Sequence, residues 1–157
     1  MANEVGAGVL AEEAGVPLRT IQFWTDAGVL KVEPESDRRG RGRHRVYRTE
    51  PQFGERACAL IAREMQRMRV PVGMMRIAVD LIARREKQLP DEMSGPEIIE
   101  KALSEQQYYV VVNLLEGPET DDNFNLAILE TPFLNPVIRS GYVLDLARIL
   151  KPLREAK

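Results

Sequence analysis

Two short apolar helical patterns, one ending at Ala14 and one opening at Leu18, are joined by Ala14-Gly15-Val16-Pro17 alone. So brief a link makes the second helix cross the first at a steep angle, the arrangement of a helix-turn-helix. Leu10, Ala11 and Ala14 mark the inner side of the first helix, about Val9 to Ala14. Gly15 is the expected stop signal, and Pro17 fits the first turn of the next helix, where its missing N–H is harmless. Leu18, Ile21 and Trp24 then recur every three residues and predict an inward stripe. Arg19, Thr20, Gln22, Phe23 and Asp26 are left facing outward.

The segment after this pair is strongly basic. Arg38, Arg39, Arg41, Arg43, Arg45 and Arg48 fall between positions 38 and 48 with no acid among them. Leu30-Lys31-Val32 and Arg45-Val46-Tyr47 read as short strands flanking a glycine-bearing loop. A helix that enters a DNA groove needs flanking cations on the phosphates, and arginine is the best bidentate partner for them. The whole-chain charge of −2 conceals this feature. Residues 1–89 hold 16 Lys/Arg against 12 Asp/Glu, whereas residues 90–157 hold 6 against 12. Such asymmetry points to a polyanion met by one half only.

Further along, Thr49 and Gln52 match a capping box ahead of a helix with Phe53, Ala57, Leu60, Ile61, Met65 and Met68 on one face. Val70-Pro71 breaks that helix, and another runs to about Lys87 with Met74, Ile77, Ala78, Leu81 and Ile82 inward. Pro90, Gly95 and the acids around them mark the expected boundary between residues 1–88 and 89–157. Ser94 and Glu97 form a second capping-box signature, before a helix that buries Ile98, Ile99, Ala102 and Leu103. The run from Tyr108 to Leu115 reads as a strand, residues 117–122 as a turn, and Phe124 to Glu130 as an antiparallel second strand. Beyond Pro132 and Pro136, a last helix is expected through Val143, Leu146, Ala147, Leu150 and Leu153. A lone hairpin is marginal, so this unit is expected to pair with a second copy.

Other chemistries find little support. The one histidine, His44, lies in the basic segment, and no serine, cysteine and histidine set suggests nucleophilic catalysis, so no enzyme is expected. Gly40-Arg41-Gly42 lacks the lysine and hydroxyl residue of a phosphate-binding loop. Glu119, Asp121 and Asp122 lack calcium-ligand spacing and read as a solvated turn. Cys58 is alone, which excludes an internal disulfide and fits a structural thiol in a reducing compartment. No metal or cofactor is expected. The N-terminus lacks signal-peptide features and no apolar run is long enough to span a bilayer, so a cytoplasmic location is the expectation.

Together the run Leu-Ala-x-x-Ala-Gly-Val-x-x-Arg-Thr-Ile-x-Phe-Trp from Leu10, the Ala27-Gly28-Val29-Leu30 that follows, Arg43-x-Arg45-Val46-Tyr47 and Val70-Pro-Val-Gly-Met-Met-Arg-Ile resemble the MerR family of bacterial transcription regulators. The resemblance covers roughly residues 8–85. It implies a winged helix-turn-helix binding double-stranded DNA as a homodimer; with the C-terminal pattern read above, the whole chain is expected to be mainly α with small β, ending in a small α+β unit of helix, β-hairpin and helix. By the same resemblance Arg19 and Thr20 stand at the DNA-contacting start of the recognition helix, and Phe23 at an aromatic position near the backbone. Arg45 and Tyr47 stand at the wing's phosphate contacts. Gln22 occupies a position where the family often carries arginine, and Trp24 one of a common tyrosine. RNA polymerase is a further partner consistent with this reading, and an effector is left unassigned. Pro90 and Gly95 interrupt the long dimerisation helix typical of the family, and Cys58 alone supports neither metal sensing nor an iron–sulfur site.

In this reading two recognition helices enter successive major grooves of a near-palindrome about 34 Å apart, or a multiple of that. Arg19, Thr20 and Gln22 read base edges, and Arg38, Arg39, Arg41, Arg43 and Arg45 hold phosphates. Two alternatives share the same features. One is a mobile-element or phage protein of excisionase or packaging type, and the other a winged-helix adaptor that binds a protein partner.

Overall fold

Helix ends set the course of the N-terminal part of the chain. The computed structural model describes residues 4–37, 45–51, 53–114, 124–129 and 141–156. A strand β1 (Glu4–Gly6) leads into α1 (Ala7–Ala14), followed by α2 (Leu18–Asp26) and a short α3 (Pro34–Asp37). Next come β2 (Val46–Arg48), α4 (Gly54–Arg67) and α5 (Val72–Val79). At the end of α1, Gly15 takes φ +66°, its N–H bonds Glu12 O, and Val16 N–H bonds Ala11 O. This is the six-to-one and five-to-two pattern of a Schellman motif, which needs a left-handed residue. Gly28 ends α2 in the same way, with φ +79° and Val29 N–H on Trp24 O. Arg69, at φ +58°, repeats the pattern after α4 without a glycine.

Leu10, Ala14, Ile21, Trp24, Leu30, Tyr47, Leu60, Ile61 and Met65 are buried in this unit. Arg63 reaches from α4 to donate Nη1–H to Ala14 O at 3.1 Å, which satisfies a terminal carbonyl of α1 right at the turn. Pro17 is the residue ahead of α2, one position earlier than expected. Leu18 does not join the inward stripe and is 46% exposed. Steps of three residues drift by about 60° each around a helix, so Leu18 lies about 120° from Trp24. Met68 is likewise exposed, because it follows the last turn of α4, and Val70 is buried instead.

Two further expectations are corrected here. The capping box at Thr49 and Gln52 does not start α4: the helix begins at Gly54 after Phe53, and Thr49 is buried upstream. A residue before proline is driven from helical geometry, so Glu50 ahead of Pro51 cannot open a helix. Leu30-Lys31-Val32 is not a strand; β2 pairs antiparallel with β1, aligning Glu4 with Arg48, Val5 with Tyr47 and Gly6 with Val46. Leu30 is buried and the Lys31 N–H donates to Glu55 Oε2 at 3.0 Å, so α4 holds this segment.

The chain divides into two compact units, residues 1–76 and 77–157. That division precedes the Pro90–Gly95 segment because a π turn, Asp80–Arg84, belongs with the second unit. There it packs on α6 (Gly95–Ser104), and a Cβ on Gly95 would collide with the Ala83 backbone. Ser94 and Glu97 form the capping box that their spacing predicts. Ile98, Ile99 and Ala102 are buried, with Leu103 only half-buried.

The sheet of this unit has the order β4 (Phe124–Leu129), β3 (Tyr109–Leu114), β5 (Gly141–Asp145), all antiparallel. Central β3 buries Val110, Val111 and Val112 in succession. Val143 thus lies in a strand rather than at the start of a final helix, and two short helices follow, α7 (Leu146–Ile149) and α8 (Lys151–Glu155). A third strand and packed helices give the sheet what a lone hairpin lacks, so its stability does not call for a second copy. The 117–122 turn, Pro132 and Pro136 lie outside the described residues. Among the described residues no helix is long and apolar enough to cross a membrane.

Candidate nucleic-acid interface

The outward side of α2 carries Arg19, Gln22 and Phe23, all exposed, with Thr20 half-buried between Arg19 and the core residue Ile21. Phe23 is 55% exposed, an apolar side chain with no core to fill. Asp26 ends this side one turn further on, so the row begins with a cation and closes with an anion.

Strand β2 carries the end of the basic segment back to α2. Side chains alternate along a strand, and Arg45 and Tyr47 both turn toward the last residues of α2. Arg45 Nη1 lies 2.8 Å from Asp26 Oδ1. The Tyr47 hydroxyl lies 2.8 Å from Thr25 Oγ1. Thr25 donates its own proton to Ile21 O at 2.7 Å, so Tyr47 is the donor in this pair. The alternate residues face the other way: Val46 N–H donates to Ser36 Oγ at 3.1 Å, and Arg48 forms a two-pronged pair with Glu33 at 2.7 and 3.0 Å. Val46 O in turn accepts the Glu33 N–H at 2.9 Å. Residues 25–36 thereby grip all four residues from Arg45 to Arg48.

Tyr47, expected at a phosphate, is fully buried and acts as an internal strut. Burial pushes its hydroxyl above the ordinary value of 10, against the opposing pull of the Arg45 charge. Of the arginines expected to hold phosphates, Arg45 is among the described residues, and Arg38, Arg39, Arg41 and Arg43 lie outside them. The sequence reading did not anticipate Thr25, Glu33, Ser36 and Glu55 as holders of this region. An acid or hydroxyl in a turn carries no signal of the distant backbone it meets.

Residues 7–50 match the family model for MerR HTH family regulatory proteins. Over this segment the chain is similar to MerR helix-turn-helix regulators. The matched span takes in both helices, the turn at Gly15 and strand β2, so it coincides with the elements that the Schellman turns and the Arg45–Arg48 grip hold together. DNA-binding transcription regulation is the function class that this match suggests. No curated protein matches the chain. Among the described residues no group of three or more His, Cys, Asp or Glu could hold a metal ion, and the thiol of Cys58 is buried.

Proposed function

We propose that this MerR-type chain binds double-stranded DNA in a sequence-specific manner, as a homodimer, and regulates transcription. The observation that carries the reading is the outward row of Arg19, Gln22 and Phe23 on the second helix of the matched segment. Arg19 and Gln22 have the donor geometry to read base edges, with Thr20 beside them. Arg38, Arg39, Arg41 and Arg43 supply phosphate contacts, and Arg45 and Tyr47 follow them in sequence. A two-fold pair of such helices requires half-sites about 34 Å apart, or a multiple of that spacing. The C-terminal unit serves dimerisation or effector sensing. RNA polymerase is the natural partner of a bound regulator.

Selection of duplexes from a random DNA pool, followed by sedimentation of the protein alone and on the selected duplex, tests this reading. Enrichment of a two-fold symmetric site bound by two copies is the expected result. Failure of the folded protein to retain any duplex, even in dilute salt, would overturn it.

A further inference from the structure

Asp26 stands on the same side of α2 as Arg19, Gln22 and Phe23, and its side chain is 64% exposed. A carboxylate there faces the phosphates of any duplex laid on that side, where like charges in close apposition weaken binding. Arg45 is more enclosed, at 32%, and its Nη1 is 2.8 Å from Asp26 Oδ1. Its backbone is fixed by the neighbouring strand: Val46 bonds to Ser36 and Glu33, and Tyr47 bonds to Thr25. The guanidinium is therefore delivered to the acid by the fold.

We infer that Arg45 serves DNA binding by neutralising Asp26 at the end of the recognition helix and locking the wing base to it, rather than by holding a phosphate. Asp26 and Arg45 are then positioning residues that act as a pair. This inference rests on the DNA-binding reading above, and its test separates the two.

The test is a charge-deletion cycle of Asp26→Asn, Arg45→Gln and the double variant, with affinity for a selected duplex measured across a salt series. Thermal melting checks that each variant is folded. Arg45→Gln, which bares the carboxylate, is expected to bind roughly tenfold more weakly or worse. Asp26→Asn is expected to bind at least as tightly as the parent chain. The double variant should return to within about threefold of the parent, with the parent's salt slope, because no phosphate contact is lost. If instead the double variant stays as weak as Arg45→Gln and both lose about 0.9 from the salt slope, Arg45 is an ordinary phosphate contact and the inference fails. If the folded parent binds no duplex at any salt concentration, the DNA-binding reading falls, and the inference with it.

Discussion

Tyr47 and Thr25 are joined through their hydroxyls at 2.8 Å, and with the Thr25 proton committed to Ile21 O the phenol is the donor. The bond ties the strand leaving the basic segment to the last turn of α2. Tyr47→Phe keeps the ring and removes the donor. It is expected to cost about 1 kcal/mol in denaturant unfolding, as for one partly buried hydrogen bond. Burial also raises the ionisation of this hydroxyl above 10. Its contribution is thus complete below pH 10 and is lost as the pH climbs through the higher folded value. The parent chain should lose stability on that alkaline limb more steeply than Tyr47→Phe does.

On the proposed reading, base recognition and phosphate holding are separable. Arg41→Ala with Arg43→Ala should weaken binding to target and random duplexes alike and flatten the salt slope by about 1.8, two contacts at about 0.9 each. Arg19→Ala should instead narrow the gap between target and random DNA by about 1–3 kcal/mol. Titration of each variant against both duplexes over a salt series checks the assignment, and parent-like behaviour of both variants would refute it.

Gly95 lies against the backbone of Ala83 and Arg84, with no room for a methyl group. Gly95→Ala is expected to destabilise the C-terminal unit by about 1–3 kcal/mol, since the π turn or the start of α6 must shift. Gly8→Ala provides the contrast. Nothing lies within 4 Å of a Cβ at Gly8, and α1 should gain about 0.5–1 kcal/mol from the better helix former. Thermal unfolding of the two variants should move in opposite directions.

Glu97 accepts from Lys87 Nζ at 2.6 Å and from the Ser94 backbone N–H at 2.7 Å. The lysine pair first, and the capping box second, hold its carboxyl at about 2 against an ordinary 4.5. Because the folded value lies below the unfolded one, its contribution is complete above about 4.5 and disappears as the pH falls toward about 2. Carboxyl titration by NMR should show this depression, and Lys87→Met should reduce it, leaving the part due to Ser94. A Glu97 that titrates near 4.5 in the parent chain would contradict the geometry.

Local signals were the legible ones. Gly15, and Ser94 with Glu97, announce helix ends because the atoms they bond lie within five residues of them. The β-branched run of β3 announced itself too, since burial on both faces leaves an unbroken apolar string. The outward set on α2 followed from helical period, although Leu18 showed that a three-residue spacing drifts off the core.

What this chain determined by itself was therefore where its helices start and stop and which residue types face outward at the second of them. Its tertiary structure decided the rest. The three residues of β1 carry little pattern until β2 comes back beside them, and β5 reads as the head of a helix until β3 takes its backbone donors and acceptors. Tyr47 looks like a surface aromatic, yet it is buried because Thr25 and α4 close over it. A cap or a turn is satisfied by its neighbours in sequence, whereas a strand pairing or an ion pair such as Asp26 with Arg45 is settled only when distant backbone arrives.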